Sequence, residues 1–247
     1  MNVPPALIAG GSLALGVLAL GAVRSGPAAG DDARTRHPSR RLGAHARSGT
    51  TRPFVNEQYA TLAADHRDRF RAFAVLPMPH IEESLAELRR ALDEPGMAGV
   101  AMNTSVPGHA LVEPGYEPIF AELDSAGAVL YLHPAGNNAC SPLIGDYHLT
   151  WMIGAPIEDT ISVMQLITHG IPTGYPNIKI INSHLGGALP MLVQRADDQY
   201  RWEAPQTPEP PGDVFVRAID YINDPRIDTS AARAILDHNA SALLGIE

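Results

Sequence analysis

The chain has a single cysteine in 247 residues, Cys140, so neither an intrachain disulfide nor a cysteine-based zinc site can form. Cys140 precedes Ser-Pro in a loop-like stretch and reads as an ordinary loop thiol, with no base near it in sequence. Lysine is nearly absent, and no basic stripe runs through the body of the chain. Nucleic acid is therefore not expected as a partner, because phosphate binding needs clustered Lys and Arg. No Gly-rich dinucleotide fingerprint follows any apolar strand run, which argues against a dinucleotide-binding sheet.

What is present is a globular composition, 45% hydrophobic and 18% charged, with a formal net charge of −9. That is enough chain for one large α/β domain with a sizeable core. Pro5 to Val23 is an almost unbroken apolar run that approaches the length of a membrane span. It lacks the Lys or Arg that precedes a signal-peptide core, and Gly10, Gly11, Gly16 and Gly21 weaken an ordinary helix. A cytoplasmic chain is expected; a membrane-associated or exported one is the alternative if this run is used. Ser25 to Pro53 is rich in Gly, Pro, Ser and Arg and reads as a flexible arm, with His37 and His45 facing water. Residues 1–53 are thus set apart from a compact domain over 54–247, which has a proline-rich break at 204–212.

Within that domain strands alternate with helices. Helices are expected over Phe54–His66, Ile81–Asp93, Gly115–Gly127, Ile157–Gly170 and Leu189–Trp202. Strands are expected at Arg69–Pro77, Met97–Asn103, Ala128–Pro134 and Ile178–Gly187. After the break, Val214–Ile222 and Thr229–Gly245 read as helices, and no strand signal follows Trp202. The pattern means a parallel sheet covered by helices. A (β/α)8 barrel is favoured over a doubly wound sheet because polar residues close successive strands, at Asn103, His133 and His184.

His133 and His184 each end an apolar strand ahead of turn-forming residues. Adjacent parallel strands would bring both to one rim. Either histidine alone could be a packed, hydrogen-bonded residue; two on neighbouring ends point equally to a metal or acid–base site. Glu158 and Asp159, at a helix start, are either acids favoured by the helix dipole or carboxylates that orient a ligand. Arg195 could pair with Asp198 or grip a substrate carboxylate. His148 and Trp151 lie on a long loop that could line or cover a pocket. His80, His109, His169 and His238 fall in turns or on helices with no role assigned.

Three stretches, LYLHPAG, GAPIEDT and GYPNIKIINSHLGGALPMLVQRAD, resemble the amidohydrolase-related family typified by aminocarboxymuconate-semialdehyde decarboxylase. The resemblance runs from about Phe54 to Leu244 and takes in AILDHNASALLG. It implies a metal-dependent (β/α)8 barrel, usually oligomeric, that removes carboxylate from aromatic or muconate-like acids or, in some members, hydrolyses instead. By the same resemblance His133 matches a metal ligand, His184 the acid/base histidine, and Glu158 and Arg195 recurrent site residues that bind substrate or orient a ligand. The implied cofactor is a divalent metal, zinc first and manganese second, and the implied substrate is a small carboxylic acid.

Two family motifs are missing. No His-x-His occurs in the chain, and no Gly-Ser-Asp-Tyr-Pro-like motif carries a metal Asp; Asp213 has the wrong flanks for that role. An incomplete barrel, dimerising across its gap or poorly soluble alone, is the structural expectation. A catalytically inactive remnant or interaction protein stays beside the decarboxylase and hydrolase readings.

Overall fold

The computed structural model describes residues 51–66, 70–106 and 109–221. The apolar run 5–23, most of the arm, the helix expected over 229–245 and His238 lie outside the described residues. No helix among the described residues is long and apolar enough to cross a membrane.

Five parallel strands form one sheet in the order β1-β2-β5-β6-β7: β1 Ala72–Val75, β2 Met97–Asn103, β5 Val129–His133, β6 Lys179–Asn182 and β7 Ile219–Tyr221. Helices connect them: α1 Thr51–Asp65, α2 Ile81–Leu92, α3 Glu117–Ala126, α4 Pro142–Gly145, α5 Ala155–Thr168, α6 Ile171–Gly174, α7 Leu189–Glu203 and α8 Pro211–Ala218. α2 carries Glu82 and Glu83 in its first turn and Arg89 and Arg90 in its last, matching the helix dipole. Gly127 ends α3 in the left-handed conformation, φ 58°, and its N–H closes on Asp124 O.

Alternation along the strands sorts side chains onto two faces. Ala74, Val100, Met102, Leu130, Leu132 and Ile180 pack against Leu88, Phe120, Leu123, Val163 and Leu166 of the covering helices. Phe73, Val129, Tyr131 and Ile181 form a second, smaller cluster on the opposite face. His133 is in phase with Val129 and Tyr131, so it belongs to this second face, whose cluster among the described residues is made of strand side chains alone.

The structure corrects three sequence expectations. A fifth strand, β7, follows the proline-rich break, where none was expected. The helix expected through Ile222 stops at Ala218, and Ile219–Tyr221 pairs with Ile180–Asn182. Three residues are too few to show a strand period beside an amphipathic helix. A two-stranded antiparallel hairpin, β3 Ser105–Val106 with β4 His109–Ala110, also went unread, and it carries His109. Lastly β6 stops at Asn182, so His184 lies past the strand in a short 3-10 turn, His184–Gly186.

β1 is one edge of the described sheet, and α1 covers it. The Asn56 amide brackets Val75, donating from Nδ2 to its carbonyl (3.1 Å) and accepting its N–H at Oδ1 (2.9 Å). A side-chain amide here stands in for a neighbouring strand, which blunts an otherwise open edge. Asn56 Nδ2 also donates to Glu87, which Arg90 grips through two hydrogen bonds.

Candidate active site

Parallel register places Asn103 opposite His133 and Leu132 opposite Asn182, so β2, β5 and β6 end along one rim. The His133 and His184 rings meet there, centroids 5.7 Å apart and planes tilted by 51°. His133 Nδ1 donates to its neighbour's carbonyl, Pro134 O, at 3.1 Å. That assigns the proton to Nδ1 and leaves Nε2 as the bare nitrogen. Beneath it Tyr131 stacks on Phe73 at 5.5 Å, making an aromatic floor on the second face.

α5 begins under this rim and contributes two successive carboxylates. Glu158 is buried and accepts from Gly136 N (3.0 Å), Ala139 N (3.3 Å) and Thr104 Oγ1 (3.3 Å). It therefore anchors the loop that leaves β5. Asp159 is fully buried and serves the other side: Ser183 Oγ donates to Oδ1 at 3.1 Å, and His184 Nδ1 lies 2.8 Å from Oδ2. Both acids lie near the N-terminal end of α5.

The turn bearing His184 is strained. His184 (φ 49°) and Leu185 (φ 58°) are consecutive non-glycine residues in the left-handed region, at a cost of about 1–3 kcal/mol each. Gly187 lets the turn close on α5, since a Cβ there would run into Pro156 O and Thr160 Oγ1. Thr160 Oγ1 then accepts Ala188 N at 2.8 Å and donates to Pro156 O at 2.7 Å.

The two imidazoles are tuned apart. Burial, helped by the neighbouring His184, pushes His133 below the usual histidine value. The hydrogen bond to Asp159 outweighs burial and raises His184. Burial also raises Asp159, against the pull of His184 and Ser183. A raised Asp159 and a raised His184 compete for one proton. We assign it to Nδ1, because the Asp159 carboxylate accepts from Ser183 as well as from the ring.

Arg195 is exposed on α7 with no ion-pair partner among the described residues; Asp198 instead accepts from Gln194. Trp151 is 67% exposed and lies against Gly136, where a Cβ would come 2.9 Å from its ring, so the long loop folds back toward the rim. His148 and Cys140 are exposed on that loop. Thr104 and Ser183 were missed in sequence; each directly follows a strand end or precedes the histidine, which is the signal that was available.

A divalent metal needs at least three protein donors for a stable mononuclear site. Among the described residues no group of three His, Cys, Asp or Glu side chains could hold one. His133 and His184 offer two nitrogens, and Asp159 and Glu158 are committed elsewhere. The described residues therefore do not complete a metal site by themselves.

The chain as a whole is similar to known proteins. Residues 19–227 fit the family described as Amidohydrolase. The 2-amino-3-carboxymuconate-6-semialdehyde decarboxylase of Dictyostelium discoideum is 31% identical over 58% of this chain and 40% of its own length. The gamma-resorcylate decarboxylase of Rhizobium radiobacter is 28% identical over 69% of this chain and 54% of its own. A dihydroxybenzoic acid decarboxylase from Polaromonas sp. JS666, solved with manganese and 2-nitroresorcinol, superposes with a TM-score of 0.63. It is 26% identical over 81% of this chain and 62% of that chain. The chain thus spans about half the length of the curated relatives it matches.

Proposed function

Since the chain belongs to the amidohydrolase family, we propose that it is a carboxy-lyase acting on an aromatic or muconate-type carboxylic acid. The observation that carries this reading is the rim pair: His133 and His184 side by side, each with Nδ1 engaged and Nε2 unclaimed among the described residues. His184 in its imidazolium form delivers the Nε2 proton to the carbon bearing the carboxylate. The bond to the carboxyl carbon then breaks, its electron pair returns to the ring or diene, and carbon dioxide leaves. The neutral imidazole regains its proton from water.

Arg195 is the cation we assign to the substrate carboxylate, through a bidentate grip that a guanidinium suits. Glu158 acts on the site through the β5 loop rather than by touching substrate. A divalent metal belongs to the same reading, zinc or manganese; the Polaromonas relative holds manganese. His133 would be one of the residues that hold it, and the chemistry it would supply is Lewis-acid polarisation of the substrate. No step above runs through it, because the described residues do not supply its full donor set. A homo-oligomer is part of the proposal, supported by exposed Leu143, Tyr147, Trp151 and Met152 on one loop. So is a cytoplasmic location.

A non-catalytic role is the second reading, favoured by the shortage of donors beside His133 and His184. Metal analysis of the purified chain separates the two. Stoichiometric zinc or manganese, lost in His133→Ala, supports the enzyme; a metal-free chain that gains no metal on dialysis supports the second reading. Carbon dioxide release from a panel of hydroxybenzoates and muconates then tests the reaction. Cleaved products without carbon dioxide would point to hydrolysis on the same scaffold.

A further inference from the structure

We propose that Asp159 is the positioning residue of His184: its buried carboxylate holds the Nδ1 proton and so fixes the ring in the tautomer and orientation that leave Nε2 unclaimed at the rim. The inference rests on the reading that His184 is the proton donor, and it adds the group that makes the ring fit for that task.

Four observations support it. First, Asp159 has no exposed surface, and His184 is its only cationic partner among the described residues. A carboxylate taken fully out of water is costly unless it is well hydrogen-bonded, so its placement under one ring is specific. Second, its hydrogen-bond donors are consecutive residues, Ser183 and His184, so the carboxylate grips one short segment at two points.

Third, the segment is bent to meet it. Two left-handed residues in a row, His184 and Leu185, turn the chain back over α5. Gly187 and the Thr160 hydroxyl lock the turn against the first turn of that helix. Fourth, Glu158, the adjacent acid, is spent on main-chain N–H groups and a threonine hydroxyl, not on an imidazole. The two carboxylates are not interchangeable, and only Asp159 addresses a rim histidine. A carboxylate behind Nδ1 also favours the imidazolium that forms at Nε2, the arrangement by which acids orient histidines in acyl-transfer enzymes.

The tautomer is directly measurable. The full chain, labelled with 15N histidine, is observed by NMR at a pH where His184 is neutral, with its resonances assigned by their loss in His184→Gln. Wild-type His184 is expected in the Nδ1–H form, and in Asp159→Ala it reverts toward the Nε2–H form that free imidazole prefers. Ser183→Ala, which removes only the second donor, keeps the wild-type tautomer. On a substrate of the panel, Asp159→Ala should lower kcat by roughly 10- to 100-fold with KM little changed.

An Nε2–H tautomer in the wild-type chain overturns the proposal, and that result needs no variant to fold. An unchanged tautomer and an unchanged kcat in Asp159→Ala overturn it equally. If no panel compound releases carbon dioxide, the decarboxylase reading fails while the tautomer still decides the role of Asp159.

Discussion

The rings of His133 and His184 lie 5.7 Å apart, yet their surroundings pull them in opposite directions. His133 sits half-buried above Tyr131, and burial pushes it below the usual histidine value; the hydrogen bond to Asp159 raises His184. Neighbouring groups tuned apart in this way are a mark of divided labour, one suited to ligation and one to proton delivery. α5 supplies one side of the division through Asp159, and burial with the neighbouring ring supplies the other.

Glu158 should prove to be the anchor of the β5 loop. In Glu158→Gln the amide NH2 replaces one of the two oxygens, so it faces either Gly136 N–H or Ala139 N–H and leaves that donor without its acceptor. Urea unfolding is expected to show a loss of about 1–3 kcal/mol. Hydrogen exchange at Gly136 or Ala139 should quicken in the same variant. Wild-type exchange at both amides would remove Glu158 from this role.

Asn56 guards the edge of β1. Asn56→Ala strips both backbone partners from Val75 and one donor from Glu87. A destabilisation of about 1–3 kcal/mol is expected, read by denaturant titration. Light scattering should show increased association as the strand edge opens. A variant as stable and as disperse as wild type would contradict this account of the edge.

Gly187 closes the His184 turn. Gly187→Ala adds a methyl against Pro156 O and Thr160 Oγ1 at a φ of 64°. The backbone conformation alone costs about 1–3 kcal/mol. Thermal unfolding should report at least that loss, and the His184 resonances should move with it. Unshifted resonances would show that the turn does not depend on this contact.

Acid should loosen the junction between α6, the Pro-rich stretch and α8 before it unfolds the core. Arg217, and then Thr173, donate hydrogen bonds that lower the Glu209 carboxyl from the usual value to about 2. A depressed carboxylate contributes stability above its unfolded pKa and loses it as the pH falls toward the folded one. The contribution is therefore complete above about pH 4.5 and fades toward about pH 2. Stability measured across that window should fall less steeply in Glu209→Gln than in wild type. The difference should also shrink in high salt, because the pair is exposed. Parallel curves would rule the pair out.

Much of this was legible in the sequence, for definite reasons. LYLHP announces a buried strand closed by a polar residue, and the structure ends β5 at His133. Met97–Asn103 reads as a strand at the same bounds, because a run bounded by glycine and proline chemistry has few alternatives. The acids of GAPIEDT were visible as a helix start, but their division was not. Which carboxylate meets which rim depends on helix rotation, a tertiary property. The left-handed turn at His184 was hidden for a similar reason, since His and Leu do not advertise positive φ as glycine does. β7 was hidden by its length and by the helix that runs into it.

The central claim is that His184 delivers a proton to the carbon that loses its carboxylate. The most direct measurement is turnover of the hydroxybenzoate and muconate panel in deuterium oxide, with carbon dioxide and product mass followed together. The account predicts carbon dioxide release with one deuterium at the vacated carbon, abolished in His184→Gln while the fold persists. Release that proceeds unchanged in His184→Gln, or no release from any compound by metal-loaded chain, would contradict it.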